Sequence, residues 1–301
     1  MSGNAPNAGG AGNSSTPGGA GNASTPGGAG KAPQPGEAGN LFHAGKLTEA
    51  IAAAGAAVKR TPGDLGARIL LAELLAFSGN AERADVILDA AADIEPAAAV
   101  AVAEFRQLLR AEMARRQLFR DGRVPEFLGE PNAAQRHALA ALVALRAGDA
   151  AGAARLSAEA EAARPRVAGR HEGHGFEDMR DADDLLAASV EVLTTTGKYF
   201  WIPVERLASV EFHVPRRPRD LLWRRASMSV NEGPDGDVYI PVIYAPPEGM
   251  DDASLLLGRS TDWTGPEEGP VRGLGQRTFL LGEEAATIME LKTLTFGAAE
   301  G

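Results

Sequence analysis

Apolar residues recur at intervals of three and four along the first half of the chain, from about Asn40 to Pro165. This spacing places apolar side chains on one face of a helix, so it predicts a run of amphipathic helices. The predicted helices span Lys46–Arg60, Leu65–Ser78, Ala81–Ile94, Ala97–Arg120, Ala133–Ala147 and Ala150–Arg164, and an irregular connector covers Asp121–Pro131.

A glycine followed seventeen residues later by a proline occurs three times in this half, as Gly45–Pro62, Gly79–Pro96 and Gly148–Pro165. The first two units are 34 residues apart and the next follows after 69. Alanines recur in phase at Ala50, Ala84 and Ala153, and again at Ala57, Ala91 and Ala160. A period of this length with small residues at fixed positions is typical of tetratricopeptide-type helical hairpins. Such hairpins stack into a curved solenoid that binds other proteins. Each glycine is expected to take a positive φ between two helices.

After about Arg166 the pattern changes to short β-rich runs separated by glycine and proline, which predicts strands. A polar stretch, Arg170–Asp184, comes first and is interpreted as a connector; it is followed by a short predicted helix at Leu185–Leu193. Asn231–Asp237 is predicted as a hairpin loop. The predicted strands are Tyr199–Ile202, Ser209–His213, Ala226–Val230, Val238–Ile243, Leu255–Gly258, Gln276–Leu281 and Ile288–Phe296.

The fold class is therefore predicted to be α+β, with a helical solenoid followed by a strand-rich domain. Residues 1–38 repeat a Gly/Ser/Thr/Pro pattern, and such a tract cannot bury enough apolar surface to offset its ordering entropy. We predict a flexible tail at residues 1–38, a helical repeat domain at 39–166 and a strand-rich domain at 170–297.

Composition excludes several classes of function. The 301 residues include no cysteine, so neither a disulfide framework nor a thiolate metal site can form. No apolar run approaches eighteen residues and no basic-then-apolar segment opens the chain, so we expect a cytoplasmic protein without a membrane span. The net charge is −10, with 17 basic and 17 acidic residues in 1–169 but 13 and 23 in 170–301. This balance argues against nucleic-acid binding.

Two charged clusters could carry chemistry. Histidines and carboxylates at His171, Glu172, His174, Glu177, Asp178, Asp181, Asp183 and Asp184 could bind a divalent metal, although their spacing matches no established motif. The alternative is a solvated connector. Arg216, Arg217, Arg219, Arg224 and Arg225 surround Trp223, and an internal electrostatic lattice or a protein contact is favoured there over phosphate binding.

Nothing else in the sequence supports catalysis. Arg272–Arg277 is glycine-rich but lacks the lysine and hydroxyl of a P-loop, so a turn before a strand is predicted. No nucleophile elbow is present. We predict no enzymatic activity, no cofactor and no metal.

Several segments resemble the ImpE/TagJ (SciE-type) proteins, accessory proteins of bacterial type VI secretion systems. They are ELLAFSGNAERA at Glu73–Ala84, FLGEP at Phe127–Pro131, GKYFWIPVERL at Gly197–Leu207, RDLLWRRA at Arg219–Ala226, GRSTDW at Gly258–Trp263 and GPVRGLGQRTFLLG at Gly269–Gly282. The resemblance implies a cytoplasmic, non-enzymatic partner of the contractile sheath. It further implies binding to the N-terminal segment of the small sheath subunit, TssB, and an influence on sheath assembly or on recycling by the unfoldase ClpV.

Partner-binding residues are predicted from position alone, as Leu71, Leu74, Leu75 and Phe77 in the solenoid and Phe200, Trp201, Trp223 and Arg224 in the second domain. For the leucines, core packing is the alternative. Two other functions stay open: a metal- or small-ligand-binding, even enzymatic, second domain, and a purely structural scaffold. The sequence does not indicate the oligomeric state, the binding face or whether binding promotes or restrains contraction.

Overall fold

The helical half folds as the hydrophobic spacing predicts. A computed structural model describes residues 36–297 apart from Asp93, Pro266 and Glu268, and seven α-helices precede the first strand in that part of the chain. The helices are α1 (Glu37–His43), α2 (Leu47–Arg60), α3 (Leu65–Phe77), α4 (Ala81–Ala92), α5 (Ala99–Asp121), α6 (Ala133–Arg146) and α7 (Ala150–Ala163). All six predicted helices are confirmed to within two residues at each end. Most of the predicted tail lies outside the described residues, and α1 begins within its last three positions.

Three helical hairpins form, because α1 packs against α2, α3 against α4 and α6 against α7. Their turns contain Gly45, Gly79 and Gly148 at φ values of 81°, 79° and 75°, so the predicted left-handed conformation is confirmed. The repeated alanines at Ala50, Ala84 and Ala153 have no solvent exposure. Small side chains at these points let neighbouring helices approach closely.

Helix α5 packs against α4 and also joins the helices to the strands. It contacts β4 (Ser189–Leu193) and β5 (Tyr199–Pro203), and its Phe105 ring lies 6.1 Å from that of Trp223. Hydrophobic side chains from both halves form one continuous core, and the described residues belong to one compact unit. No helix of the described residues is long and apolar enough to cross a membrane.

The strand-rich half is built around a large antiparallel sheet. The remaining elements are β1 (Gly169–His171), β2 (His174–Phe176), β3 (Met179–Asp181), β6 (Leu207–Phe212), β7 (Trp223–Val230), β8 (Gly236–Pro241), α8 (Ala253–Leu256), β9 (Thr261–Thr264), β10 (Arg272–Gly275), β11 (Thr278–Leu281), β12 (Glu284–Thr287) and β13 (Thr293–Phe296). Eight strands follow the order β2-β1-β13-β6-β7-β8-β4-β5. Smaller sheets contain β10-β9 and β12-β11-β3. The predicted α+β class is confirmed.

Two of the predicted elements have the wrong type. Leu185–Leu193 was expected to be a helix, but it is a turn followed by β4, whose five residues are all buried. A strand buried on both faces shows no polar alternation, so its pattern does not differ from that of a buried helix. Leu255–Gly258 was expected to be a strand, but α8 ends there instead. The Asp252 side chain accepts hydrogen bonds from the Ser254 and Leu255 amides at 2.8 and 3.2 Å and so begins the helix.

Three further segments differ from prediction in extent. Arg170–Asp184 contains most of β1 and all of β2 and β3 instead of a connector. Arg272–Arg277 contains strand β10 instead of a turn alone, and Ile288–Phe296 is a strand only from Thr293. The strands in Arg170–Asp184 and Arg272–Arg277 could not be predicted, because both segments are rich in polar residues. Some of these residues are exposed on short strands, and others are buried charges whose partners lie far away in the sequence.

Candidate binding groove

A buried ion network fixes α5 against the sheet. The Arg115 guanidinium on α5 donates to both carboxylate oxygens of Glu191 on β4, at 2.9 and 3.1 Å, and to the Ile243 carbonyl at 2.9 Å. Glu191 has no solvent exposure. Because two parallel hydrogen bonds define both distance and angle, this pair sets the orientation of α5.

Arg277, just before β11, extends the network. Its guanidinium donates to Glu191, to Asp181 at 2.5 Å and to the Pro241 carbonyl at 3.0 Å. Burial by itself raises the pKa of Glu191, but the charges of Arg115 and Arg277 outweigh burial and hold that pKa at about 2. Burial raises the pKa of Asp181 to about 6 in spite of the attraction of Arg277. No local pattern in the sequence marks Arg115, Glu191 or Arg277, because the paired residues lie 76 and 86 positions apart along the chain.

A groove of about 780 Å³ opens beside α5, between the helices and the strand-rich half. Helical residues form an apolar floor that consists of Leu47, Ile51, Phe77, Phe119, Leu142 and Leu145. The opposite side contains the loop Ala245–Asp251 with Leu256 of α8 and Leu274 of β10. The groove therefore offers a continuous apolar surface between two structurally different walls.

Three arginines, Arg116, Arg120 and Arg146, form what we call the arginine wall on the helical side. The Nε of Arg116 donates to Glu112 at 3.0 Å, and Nη1 of Arg146 donates to the Leu118 carbonyl at 2.8 Å. Each of these two guanidiniums makes one hydrogen bond within the part of the chain that the structure describes. An arginine has five N–H groups, so several donors on this wall remain for a bound carboxylate.

Two glycines position the arginine wall. Gly79 and Gly122 both have a positive φ, of 79° and 82°, and both lie directly beneath a guanidinium. A Cβ at Gly122 would come within 2.5 Å of Nη2 of Arg146, and one at Gly79 would overlap Nη1 of Arg116. The repeated glycine at Gly79 therefore ends a helix and also leaves space for a groove arginine.

The opposite side carries the carboxylate wall, which consists of Glu248 and Asp251 on the loop Ala245–Asp251. Both residues are exposed. The pKa of Arg120 is raised mainly by its hydrogen bond to Asp121 and to a smaller degree by the charge of Glu248.

Arg272 of β10 also lines the side of the carboxylate wall, but its guanidinium pairs with the buried Asp183 at 2.8 Å. On the helical side, Arg120 pairs with Asp121 at 2.8 Å. The groove thus has three arginines on its helical side and two exposed carboxylates on the opposite loop.

The predicted partner-binding residues lie mainly in the core. Leu71, Leu74, Leu75 and Phe77 are at most 2% exposed, and of these only Phe77 lines the groove. The indole of Trp201 donates to Tyr199 at 2.6 Å.

Trp223 donates to Glu112 at 3.1 Å, Arg224 stacks on Phe212 at 4.9 Å, and Phe200 is half-buried. All eight predicted residues pack within the protein, Phe200 with partial exposure, and their contact with a partner stays a prediction.

Two of the other arginines near Trp223 contact groups within the protein, whereas Arg216 and Arg217 are exposed. Arg219 lies 4.7 Å above the Phe105 ring, and Arg225 forms an ion pair with Asp237. These contacts fit the predicted internal lattice.

The two histidines of the acidic stretch, His171 and His174, face each other across the β1–β2 hairpin and line a second cavity of about 1030 Å³. Asp181 and Asp183 are buried and bind arginines instead. In the described ranges, no three histidine or carboxylate side chains converge as a metal site would need.

Comparisons with known proteins match both halves. A tetratricopeptide repeat model matches residues 41–109, and the ImpE protein model matches residues 173–295. The type VI secretion system accessory component TagJ of Pseudomonas aeruginosa is 31% identical over 257 residues, which cover 85% of this chain and 89% of TagJ. The chain belongs to the ImpE/TagJ family.

A solved relative has the same architecture. The crystal structure of protein VPA1032 from Vibrio parahaemolyticus superimposes with a TM-score of 0.82 at 25% identity, over 88% of this chain and 99% of the other. Both matched regions contribute to the groove, since Leu47, Ile51 and Phe77 lie in the repeat match and Glu248 and Leu274 in the ImpE match. The arginine wall lies between the two matches. In this ImpE/TagJ family member, the groove is where the two halves meet.

Proposed function

We propose that this family member is a cytoplasmic, non-enzymatic type VI secretion adaptor that binds the N-terminal helical segment of the small, TssB-like sheath subunit. The bound segment lies in the groove beside α5. By holding it, the protein modulates sheath assembly or the access of the ClpV unfoldase to the sheath.

The observation that carries this proposal is the apolar groove with a charged rim. Helix-in-groove recognition requires apolar anchors from the helix to enter a hydrophobic floor, with polar groups at the edges. The groove supplies such a floor from four helices, with arginines and carboxylates at its edges. Relationship to TagJ, an accessory component, supports a partner from the secretion system.

Co-purification of this protein with the sheath subunit, with and without its N-terminal segment, tests the partner. We expect capture of the full-length subunit and loss of capture when the segment is removed. Equal capture of both forms would overturn the proposal.

The Leu145→Ser variant tests the groove, because Leu145 is a half-buried residue of its floor. Loss of one buried apolar side chain costs about 1.5–3 kcal/mol, so we expect affinity to fall by about tenfold or more. Val143→Ser is the matched control: Val143 lies on the same helix, is 55% exposed and does not line the groove. If the two variants bind equally well, the groove is not the binding site.

A further inference from the structure

The groove has two walls of opposite charge, and this arrangement restricts which helix it can accept. The arginine wall comes from α5 and α6, and the carboxylate wall comes from the loop Ala245–Asp251. Both walls border the same apolar floor. A helix on that floor has its polar flanks next to the walls, one flank to each side.

We propose, building on the function proposed above, that the groove selects an amphipathic helix with acidic side chains on one flank and basic side chains on the other. The acidic flank faces Arg116, Arg120 and Arg146, whose remaining N–H groups donate hydrogen bonds to its carboxylates. The basic flank faces Glu248 and Asp251.

This arrangement also sets the direction of the bound helix. Turning the helix end for end on the floor keeps its apolar face down but exchanges its left and right flanks. The reversed helix would place acid against acid and base against base. Like charges brought together at an interface oppose binding, so the two walls discriminate between the directions.

The general charge of the protein does not explain this selectivity. At a net charge of −10 the whole molecule repels an acidic segment and attracts a basic one. The arginine wall opposes that general tendency along one side of the groove only. Recognition therefore requires both kinds of charge on the partner helix, arranged on separate flanks.

Arg120 and Glu248 are suited to testing the proposal, because both are exposed and neither belongs to the buried network. The probe is a fluorescein-labelled synthetic peptide with the sequence of the sheath subunit's N-terminal segment, and its binding is measured by fluorescence anisotropy. We expect Arg120→Glu and Glu248→Arg each to weaken binding by about threefold to tenfold. Arg155→Glu, an exposed arginine of α7 outside the groove, should leave binding unchanged.

The double variant Arg120→Glu/Glu248→Arg separates recognition from structure. It has the native net charge and retains an opposite-charge pair at these two positions, but each wall has an inverted charge. We expect it to bind the native peptide no better than the single variants. We also expect it to bind a peptide with all acidic and basic residues exchanged better than the native protein does.

Four results would overturn the proposal. Recovery of native-peptide binding by the double variant would show that Arg120 and Glu248 interact with each other and not with the flanks of the peptide. Native affinity in both single variants, while Leu145→Ser is weakened, would reject the two-sided groove but retain the proposed function. Absence of peptide binding to the native protein would reject both. Light scattering on the native protein and Glu248→Arg detects whether a second copy of the chain occupies the groove, and that result would likewise overturn the proposal.

Discussion

Replacing Glu191 by glutamine tests whether the buried ion network holds the helices to the sheet. The change preserves the shape of the side chain and removes the single negative charge between Arg115 and Arg277. Both guanidiniums are almost completely buried, with side-chain exposures of 3% and 0%. The variant therefore removes the carboxylate that both cations share, and leaves Arg115 with Glu112 at 3.5 Å and Arg277 with Asp181 at 2.5 Å.

The size of the effect follows from the pKa of Glu191. The arginines hold this pKa at about 2 instead of 4.5, and at about 1.4 kcal/mol per pKa unit this difference corresponds to about 3 kcal/mol of stability. Removing one partner of a buried ion pair typically destabilises a protein by about 3–5 kcal/mol, which agrees. Because the folded-state pKa is lowered, this stabilisation is complete above about pH 5 and is lost as the pH falls toward 2.

Urea unfolding at pH 7, followed by the fluorescence of the buried Trp201 and Trp223, measures the loss. We expect Glu191→Gln to lower the free energy of unfolding by about 3–5 kcal/mol. Glu159→Gln serves as the control, because Glu159 is 40% exposed and pairs with Arg155, so it should change stability by less than about 1 kcal/mol. A Glu191→Gln variant within about 1 kcal/mol of the native protein would refute the importance of the network.

Two further substitutions test other parts of the fold. Burial raises the pKa of Glu73 to about 7 against the attraction of Arg219, so stability should be lost as the pH rises from about 4.5 through 7. Glu73→Gln should remove this loss. In urea unfolding at pH 8, its free energy of unfolding should be about 2 kcal/mol higher than that of the native protein. Identical pH profiles of stability for the two proteins would contradict this. Gly79→Ala should lower the unfolding free energy by about 1–2 kcal/mol, because its φ is 79° and Arg116 lies above it. Gly55→Ala, at an open site within α2, should instead stabilise by about 0.5–1 kcal/mol, and equal effects of the two alanines would refute this reasoning.

The helices could be predicted from the sequence because their stability is encoded locally. Apolar spacing defined α2 to α7, and the glycines at their turns needed only a positive φ. The strand-rich half was harder, because β4 is buried on both faces and α8 depends on a single capping residue, Asp252. In such short segments the surrounding structure decides the type of element.

The groove could not be predicted from the sequence in the same way. Its floor takes residues from four helices, the last of which ends at Arg146, and its opposite wall begins only at Ala245. The leucines of α3 carried the strongest apolar signal, yet they fill the core, since the most apolar positions of an amphipathic helix face inward. The groove arginines gave no signal, because an exposed arginine on a helix is ordinary until its neighbours are known.

Glu112 shows how the two halves cooperate in forming the groove. This buried carboxylate on α5 accepts a hydrogen bond from Arg116 of the arginine wall at 3.0 Å and another from the Trp223 indole of β7 at 3.1 Å. Arg115, the neighbour of Arg116, lies 3.5 Å from the same carboxylate and also binds Glu191 of the sheet. The position of a groove cation is therefore set by the sheet through α5. Glu112 is hydrogen-bonded both to Arg116 of the arginine wall and to Trp223 of the sheet. Any shift of α5 relative to the sheet would therefore also move the arginine wall.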